Sequence, residues 1–593
     1  MAYNDTIIRQ ASSSLEGCNE RQTSFLRWFH ESGGWLNPKC RFADYETMGT
    51  GMVAGEAIEN DEVLFSIPRH TLLNIQNSSL GVFCKAYDGQ QKNSIVVESS
   101  AAPSTSLKWD DVNVGWQGLI MTMMWENFRA TEEGRAAFEE FCQTNKEWIA
   151  AFPAEEHDTQ NENEVAIVRE ARANMEWGPY LKILPQSFDT PMFWSDAEVE
   201  ELKGTSIPNK IGKEEATAGF VEKVRPYIEE HASIFLGTLA DKPGALDKYY
   251  SLEHFHMMGS RILSRSFHVK SGSNKDDRGN GDRSGEDDGE NGGGDESDDD
   301  SDEEGAEEDE SIDNISMVPM ADMLNARYEC DNAHLFYKTE TLEMHATKRI
   351  EAGQQIWNTY GEPPSGDLLR RYGYVDLANP CDIVELPMES LIAGRLLLPN
   401  SPSKESLLAR MAWACSLGMD EVSPLTYPFP LSPEPPYRPD HQGLTKRDYR
   451  EIAMGMPDDL LVLARVLCLT EENYTKAASK DRLPNPKFDA VERYANGQEI
   501  GVTQILLKAL EERKKDYPTS IEEDEQLLYP ALGQSNNLSL NRRNAITVRL
   551  SEKYILGETA KMVEAVAEAV TLKRRLDSQA NGSNGQNKKS RKA

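Results

Sequence analysis

The sequence predicts an α+β chain in which a strand-rich region is split by a helical block and followed by an all-helical region. Two observations carry this. "GTGMVAGEAIENDEVLFSIP" and, much later, "ISMVPMADML", "HLFYKTETLEMHATKRI" and "QQIWNTYG" are short apolar runs punctuated by Gly, Asn-Asp and Pro, the pattern of strands and turns. Between and beyond these segments, apolar residues recur at three- and four-residue steps, which marks helices with one buried face.

The elements follow in order. Phe25, Trp28 and Phe29 share one face of an opening helix, after which the first strands begin. From Trp116 the pattern is helical, with Leu119, Met123 and Phe128 spaced for a buried face, and a largely helical block continues to about Met258. The stretch from 270 to 313 is Asp, Glu, Gly and Ser with almost nothing to bury, so it is expected to be disordered. Strands resume at Ile315. From Glu405 long helical patterns dominate, the last carrying Ile546, Leu550 and Tyr554 at four-residue steps. The implied division is 25–105 and 256–380 for the two strand-rich parts, 106–255 for the helical insert, 385–575 for the helical region and 576–593 for a basic disordered tail.

Composition narrows the function classes. The 593 residues suffice for two cores, and ten Trp argue against wholesale disorder. The net charge of −36 is uneven, and about half of it lies between Lys275 and Asp313, so it says little about the folded parts. Eight widely spaced Cys form no C-x-x-C pair and no zinc-spaced cluster, as expected of free thiols in a reducing compartment and of a chain without a metal site. No run of 18 apolar residues and no apolar leader occurs, so a soluble protein without membrane contact is expected. Lys573–Arg575 and Lys588–Lys592, separated by a polar spacer, have the form of a bipartite nuclear localisation signal, which points to the nucleus, with the cytoplasm also open.

Four segments carry the chemistry. "MGTGMVA" places Gly49 and Gly51 around Thr50, where a backbone can approach a ligand closely. "GSRILSRSF" offers Ser264 and Arg265 at the end of a helix. "VPMADMLN" sets Asp322 and Asn325 three residues apart in an apolar setting, where polar groups must find partners. "IWNTYGEPPSGDLLRRYGYVD" adds Tyr360 after a strand and Tyr372 at a helix-to-turn transition.

In this order, and with "WGPYLKILPQSFDTPMFWSDAEVEEL" in the insert, these segments resemble the SET-domain protein lysine methyltransferases of the Rubisco large-subunit methyltransferase subclass, within it the fungal ribosomal lysine branch and a vertebrate relation. The resemblance spans roughly Phe25 to Leu576. It implies a mostly β, knotted SET domain split by a helical insert, followed by an all-α substrate-binding domain, and S-adenosylmethionine as cofactor. It implies that Met48, Gly49, Thr50, Ser264, Asn325, Ala326 and Tyr372 bind the cofactor, that Arg265 and Asp322 lie at the substrate lysine, and that Tyr360 is catalytic. No metal is implied. Many members have Asn-His where this chain has Asn325-Ala326, so an imidazole against the cofactor is lost.

The expected partner is a lysine-bearing protein, in the first place a large-subunit ribosomal protein, taken by a monomer without direct nucleic-acid contact. Methylation of histones or other nuclear regulators is the alternative within the enzyme class. A non-catalytic adaptor for basic proteins is the alternative outside it, favoured by Ala326 and opposed by Tyr360, Arg265 and Asn325.

Overall fold

The computed structural model describes residues 18–45, 48–94, 107–145, 176–269, 315–441, 443–485, 491–493, 499–530 and 537–589. The acidic stretch 270–313, for which disorder was expected, lies outside the described residues. Two compact units are present: residues 1–188 with 212–361, and residues 189–211 with 362–593.

The first unit opens with α1 (Glu20–Glu31). Its start is closed by a reciprocal cap in which the Asn19 side chain accepts from Gln22 N while the Gln22 side chain accepts from Asn19 N, both at 3.0 Å. Phe25 and Phe29 are buried as the helical spacing predicts. Strands β1 (Trp35–Leu36), β2 (Cys40–Tyr45), β3 (Gly49–Ala54) and β4 (Val63–Pro68) follow. The helical block comes next, with α2 (Leu80–Ser94), α3 (Gln117–Arg129), α4 (Glu132–Thr144), the short α5 (Gly178–Ile183), several brief helical turns between 213 and 249, and α6 (Leu252–Arg265). The unit closes with β5 (Ser266–His268), β6 (Ile315–Met317), β7 (Asn325–Ala326), β8 (Ala333–Tyr337), β9 (Thr341–Ala346) and β10 (Gln355–Asn358).

Most of these strands form two four-stranded sheets, ordered β1-β4-β9-β8 and β2-β3-β10-β7. In β9, Leu342, Met344 and Ala346 alternate inward, as a sheet with one buried face requires. In β4 the alternation is broken by a register shift between Val63 and Phe65, so that Leu64 and Phe65 are both buried. β5 pairs with β6, bringing the end of α6 onto the strand that follows the acidic stretch. One apolar core runs through both sheets and the helical block, from Phe25 and Met52 to Trp125, Met258 and Ile356.

The second unit holds β11 (Ile383–Pro387), α7 (Met388–Leu396), α8 (Lys404–Cys415), β12 (Val422–Thr426), α9 (Lys446–Ala453), α10 (Asp458–Cys468), α11 (Glu471–Ala478), β13 (Val491–Arg493), β14 (Glu499–Gly501), α12 (Val502–Arg513), α13 (Ile521–Leu528) and α14 (Leu540–Lys589). Ile546, Leu550 and Tyr554 are buried together with Leu528, as their four-residue steps indicate. Deeper in the unit, Asp524 accepts from Arg549 at 2.8, 3.0 and 3.2 Å and also from Lys553, all three residues being buried.

Two features differ from the division expected from sequence. Residues 189–211 belong with the second unit, because Trp194, Leu202 and Ile207 share a small apolar cluster with Leu369, Ala545 and Val548. The tail expected to be disordered from 576 continues α14 to Lys589. A helix already nucleated extends at one backbone bond per residue, which carries it on through the Asn, Gly and Ser of 581–587 although these are weak helix formers.

Candidate functional site

The site is built where β3, α6, β7 and β10 of the first unit converge. β2 and β3 pair from Cys40↔Ala54 to Tyr45↔Gly49, and Gly49 adopts a left-handed φ of +69°. Met48 is partly buried just before β3. The Thr50 hydroxyl donates to the Asp44 carboxylate at 2.8 Å, and the same carboxylate oxygen accepts Gln22 Nε2 at 3.2 Å, so the hairpin end is tied back to α1.

Gly51 performs the close approach. A Cβ at this position would lie 2.6 Å from Asn325 Nδ2, 2.9 Å from Tyr45 Cε2 and 3.0 Å from Gln355 Nε2. The absent side chain therefore leaves a cradle on which two carboxamides and one aromatic ring converge. Asn325 arrives there because β7 runs parallel to β10, with Trp357↔Asn325 and Asn358↔Ala326 in register. Asn325 Nδ2 and Gln355 Nε2 are both buried and have no hydrogen-bond partner in the protein. Two orphaned donors at one spot are costly in a closed core and natural where a ligand supplies acceptors.

The turn between β6 and β7 carries the second half of the site. Met320 takes φ +81°, uncommon for a residue with a side chain, and a single 3₁₀ turn follows over Ala321–Met323. Arg265, the last residue of α6, donates through Nη1 to the carbonyl of Asp322. The Tyr360 hydroxyl, just beyond β10, donates to the Leu324 carbonyl at 3.1 Å. The Asp322 carboxylate is buried and accepts from the Tyr180 hydroxyl at 2.6 Å. Burial is the leading influence on Asp322 and pushes its pKa up to about 7, against the opposing pull of the Arg265 charge and the Tyr180 hydrogen bond. Burial also raises the pKa of Tyr360, so its hydroxyl keeps its proton.

Of the residues singled out from sequence, Thr50, Arg265, Asp322, Asn325, Ala326 and Tyr360 therefore belong to elements that meet in one place, with Met48 and Gly49 at the neighbouring hairpin end. The Ser264 hydroxyl instead donates back to Ser260 O at 2.7 Å within α6. Tyr372 belongs to the second unit, at the end of a π-helical turn over Leu368–Tyr372, with its ring 6.3 Å from that of Tyr374. Sequence reasoning missed Gln355, Tyr45 and Tyr180 as site residues. For Tyr180 the signal was present in the "WGPYLKILP" motif, but its partner lies 142 positions away. Arg261 was missed too: it is fully buried and donates through Nε and Nη2 to the Pro185 carbonyl at 3.1 and 3.0 Å, fixing the chain beyond α5.

Comparison with known proteins bears on this arrangement. Residues 401–556 match the family model for the Rubisco LSMT substrate-binding domain. Ribosomal lysine N-methyltransferase 4 of Saccharomyces cerevisiae is 26% identical over 369 residues, covering 60% of this chain and 56% of the yeast protein. N-lysine methyltransferase setd6 of Xenopus laevis is 22% identical over 574 residues, covering 93% of this chain and 98% of the frog protein. The chain is thus similar to N-lysine methyltransferases along most of its length and to the Rubisco LSMT substrate-binding family over 401–556. A crystal structure of the SET domain of LSMT bound to lysine and AdoHcy superposes with a TM-score of 0.49 at 16% identity, covering 93% of this chain and 92% of that one.

The orphaned Asn325 and Gln355 amides and the Gly51 cradle fit a ligand that offers acceptors and a flat heterocycle, as S-adenosylmethionine does. Asn325, Gln355, Tyr45 and the backbone of Met48–Gly51 are the groups that would hold it. Among the described residues no group of three or more His, Cys, Asp or Glu side chains could hold a metal ion, and no helix is long and apolar enough to cross a membrane.

Proposed function

We propose that this protein transfers the methyl group of S-adenosylmethionine to a lysine of a large-subunit ribosomal protein. The observation that carries the chemistry is the seating of Arg265 and Tyr360 on two carbonyls of one turn, Asp322 O and Leu324 O, beside the orphaned amides of Asn325 and Gln355. The ribosomal substrate rests on the likeness to the yeast ribosomal lysine N-methyltransferase 4.

When bound, the cofactor supplies a methyl group activated by a sulfonium charge. The protein has to align a lysine amine with it and deliver that amine neutral. An unperturbed lysine, with a pKa near 10.4, is neutral in only about one molecule in 2,500 at pH 7, a deficit of roughly 4 to 5 kcal/mol. A buried environment lowers that deficit by penalising the ammonium. The chain displays this influence on its own groups at the turn, where burial raises both Asp322 and Tyr360. Tyr360, kept neutral and held by Leu324 O, contributes a fixed hydroxyl dipole to orient the amine, with no role as a full base. Arg265 fixes the backbone of the turn through Asp322 O.

A second reading, methylation of nuclear regulators, is favoured by the near full-length match to the setd6 protein of Xenopus and by the basic clusters at 573–575 and 588–592, whose spacing also supports a nuclear location. One experiment separates the readings. The purified chain is incubated with methyl-labelled S-adenosylmethionine and either separated large-subunit ribosomal proteins or a nuclear extract stripped of ribosomes, with Tyr360→Phe as control. A single labelled ribosomal lysine, lost in the variant, supports the first reading, and label confined to the nuclear fraction replaces it with the second.

A further inference from the structure

Tyr180 is the first residue to consider. It sits in α5 and is fully buried, with its ring stacked on Trp28 at 6.2 Å and 13° and packed against Phe25 at 6.1 Å. The helix that carries it is anchored at its start as well, where Trp177 Nε1 donates to Thr71 O at 2.9 Å. A rigid aromatic wedge thus presents one hydroxyl, and that hydroxyl donates to the Asp322 carboxylate at 2.6 Å. Asp322 lies in the turn whose carbonyls hold Arg265 and Tyr360 and whose next strand begins with Asn325. The turn is entered through the positive φ of Met320, a conformation that persists only where surrounding contacts impose it.

We propose that Tyr180 is a positioning residue of the methyl-transfer reaction, locking the Asp322 side chain and through it the Ala321–Leu324 turn on which Arg265 and Tyr360 are seated. This rests on the methyltransferase reading of the site. The same hydrogen bond also sets the charge of Asp322. The charged and titratable groups facing that carboxyl are Tyr180 from α5, Arg265 from α6 and Tyr360 from the end of β10, while Arg261 of α6 acts on Tyr180. Tyr180 and Arg265 both favour the carboxylate, and burial opposes them. A charged Asp322 holds a nearby lysine as ammonium, and a neutral one releases it toward the amine. Tyr180 therefore tunes the pH at which the site passes between the two.

The test compares Tyr180→Phe, Asp322→Asn and the double variant with the wild type. Phe preserves the ring packing on Trp28 and Phe25. Rates of methyl transfer from labelled S-adenosylmethionine to separated large-subunit ribosomal proteins are measured from pH 6 to 9, and guanidinium unfolding curves are recorded without cofactor from pH 4 to 9. In Tyr180→Phe the inflection belonging to Asp322 moves up by about one pH unit, the size expected for a lost hydrogen bond to a charged acceptor. It moves in the rate profile and in the unfolding profile alike. Both inflections vanish in Asp322→Asn, and adding Tyr180→Phe to that variant changes the rate by less than 3-fold. A rate loss in Tyr180→Phe that is equal at every pH and multiplies in the double variant would overturn the proposal, since it would mark a merely structural ring. Absence of transfer by the wild type defeats the functional reading, whereas an unshifted unfolding profile defeats the Tyr180–Asp322 coupling itself.

Discussion

Replacing Gly51 by Ala separates stability from cofactor binding more sharply than any other single change in the site. The new methyl would stand 2.6 Å from Asn325 Nδ2 and 3.0 Å from Gln355 Nε2, against an ordinary contact of about 3.4 Å or more, so each carboxamide must retreat by several tenths of an ångström. Both are the far ends of side chains, and neither nitrogen has a hydrogen bond within the protein to lose. Gly51 is also not in the left-handed region, so Ala introduces no backbone strain. The cost in unfolding free energy is therefore about 1 kcal/mol or less, set mainly by the Tyr45 ring at 2.9 Å. Binding suffers more. Each displaced amide forfeits one hydrogen bond to the cofactor, worth roughly 1 to 1.5 kcal/mol, so the dissociation constant for S-adenosylmethionine rises by about 30- to 150-fold. Titration calorimetry with S-adenosylmethionine on the purified variant, beside a denaturant unfolding curve, reads both quantities. A dissociation constant within 3-fold of wild type in a normally folded variant would refute the assignment of Asn325 and Gln355 to the cofactor.

Other outcomes follow from the same geometry. Tyr360→Phe removes a hydroxyl that donates once, to Leu324 O at 3.1 Å, and is expected to lower the methyl-transfer rate by roughly 10²- to 10³-fold with cofactor affinity almost unchanged, as single-turnover kinetics would show. Asp322, with a folded pKa of about 7 against roughly 3.9 unfolded, binds its proton more tightly in the folded state, so it depresses stability progressively from pH 4 to 7, by up to about 4 kcal/mol above pH 7. Asp322→Asn should remove that fall, and unfolding midpoints at pH 5 and 8 measure it. In the second unit, Asp524→Ala takes a buried carboxylate from Arg549 and Lys553, leaving Arg549 with Glu201 and Lys553 with the carbonyls of Thr519 and Ser520, and is expected to cost about 3 kcal/mol. Because the Asp524 pKa is lowered chiefly by its bonds to Arg549 and Lys553, which outweigh burial, the wild-type contribution is present above the unfolded pKa near 3.9 and disappears as pH falls through the folded one, which acid unfolding reads directly.

Much of the fold was legible because its signals are short-range. The alternation of Leu342, Met344 and Ala346 in β9 and the four-residue steps of Ile546, Leu550 and Tyr554 in α14 survive intact, since period and burial face are properties of a few consecutive residues. The gathering of Arg265, Asp322, Asn325 and Tyr360 was legible only through the order of motifs, as their separations in the chain are too long for any local rule. Ser264 shows the opposite case: its hydroxyl satisfies itself one turn back on its own helix, an outcome that side-chain competition within a helix decides.

The residue types, the caps and the periodicities of this chain lie in its sequence alone, because backbone sterics and hydrophobic patterning act over a turn or a strand at a time. Which glycine makes the cradle, that two carboxamides arrive there without partners, and that a tyrosine in α5 holds a carboxylate beyond the acidic stretch were decided by the parallel pairing of β7 with β10 and the docking of α5 on α1. Those are contacts between segments distant in the chain. Their energies depend on burial and on distances that exist only once the core has closed, which is why the site's charge states and its orphaned donors belong to the tertiary structure.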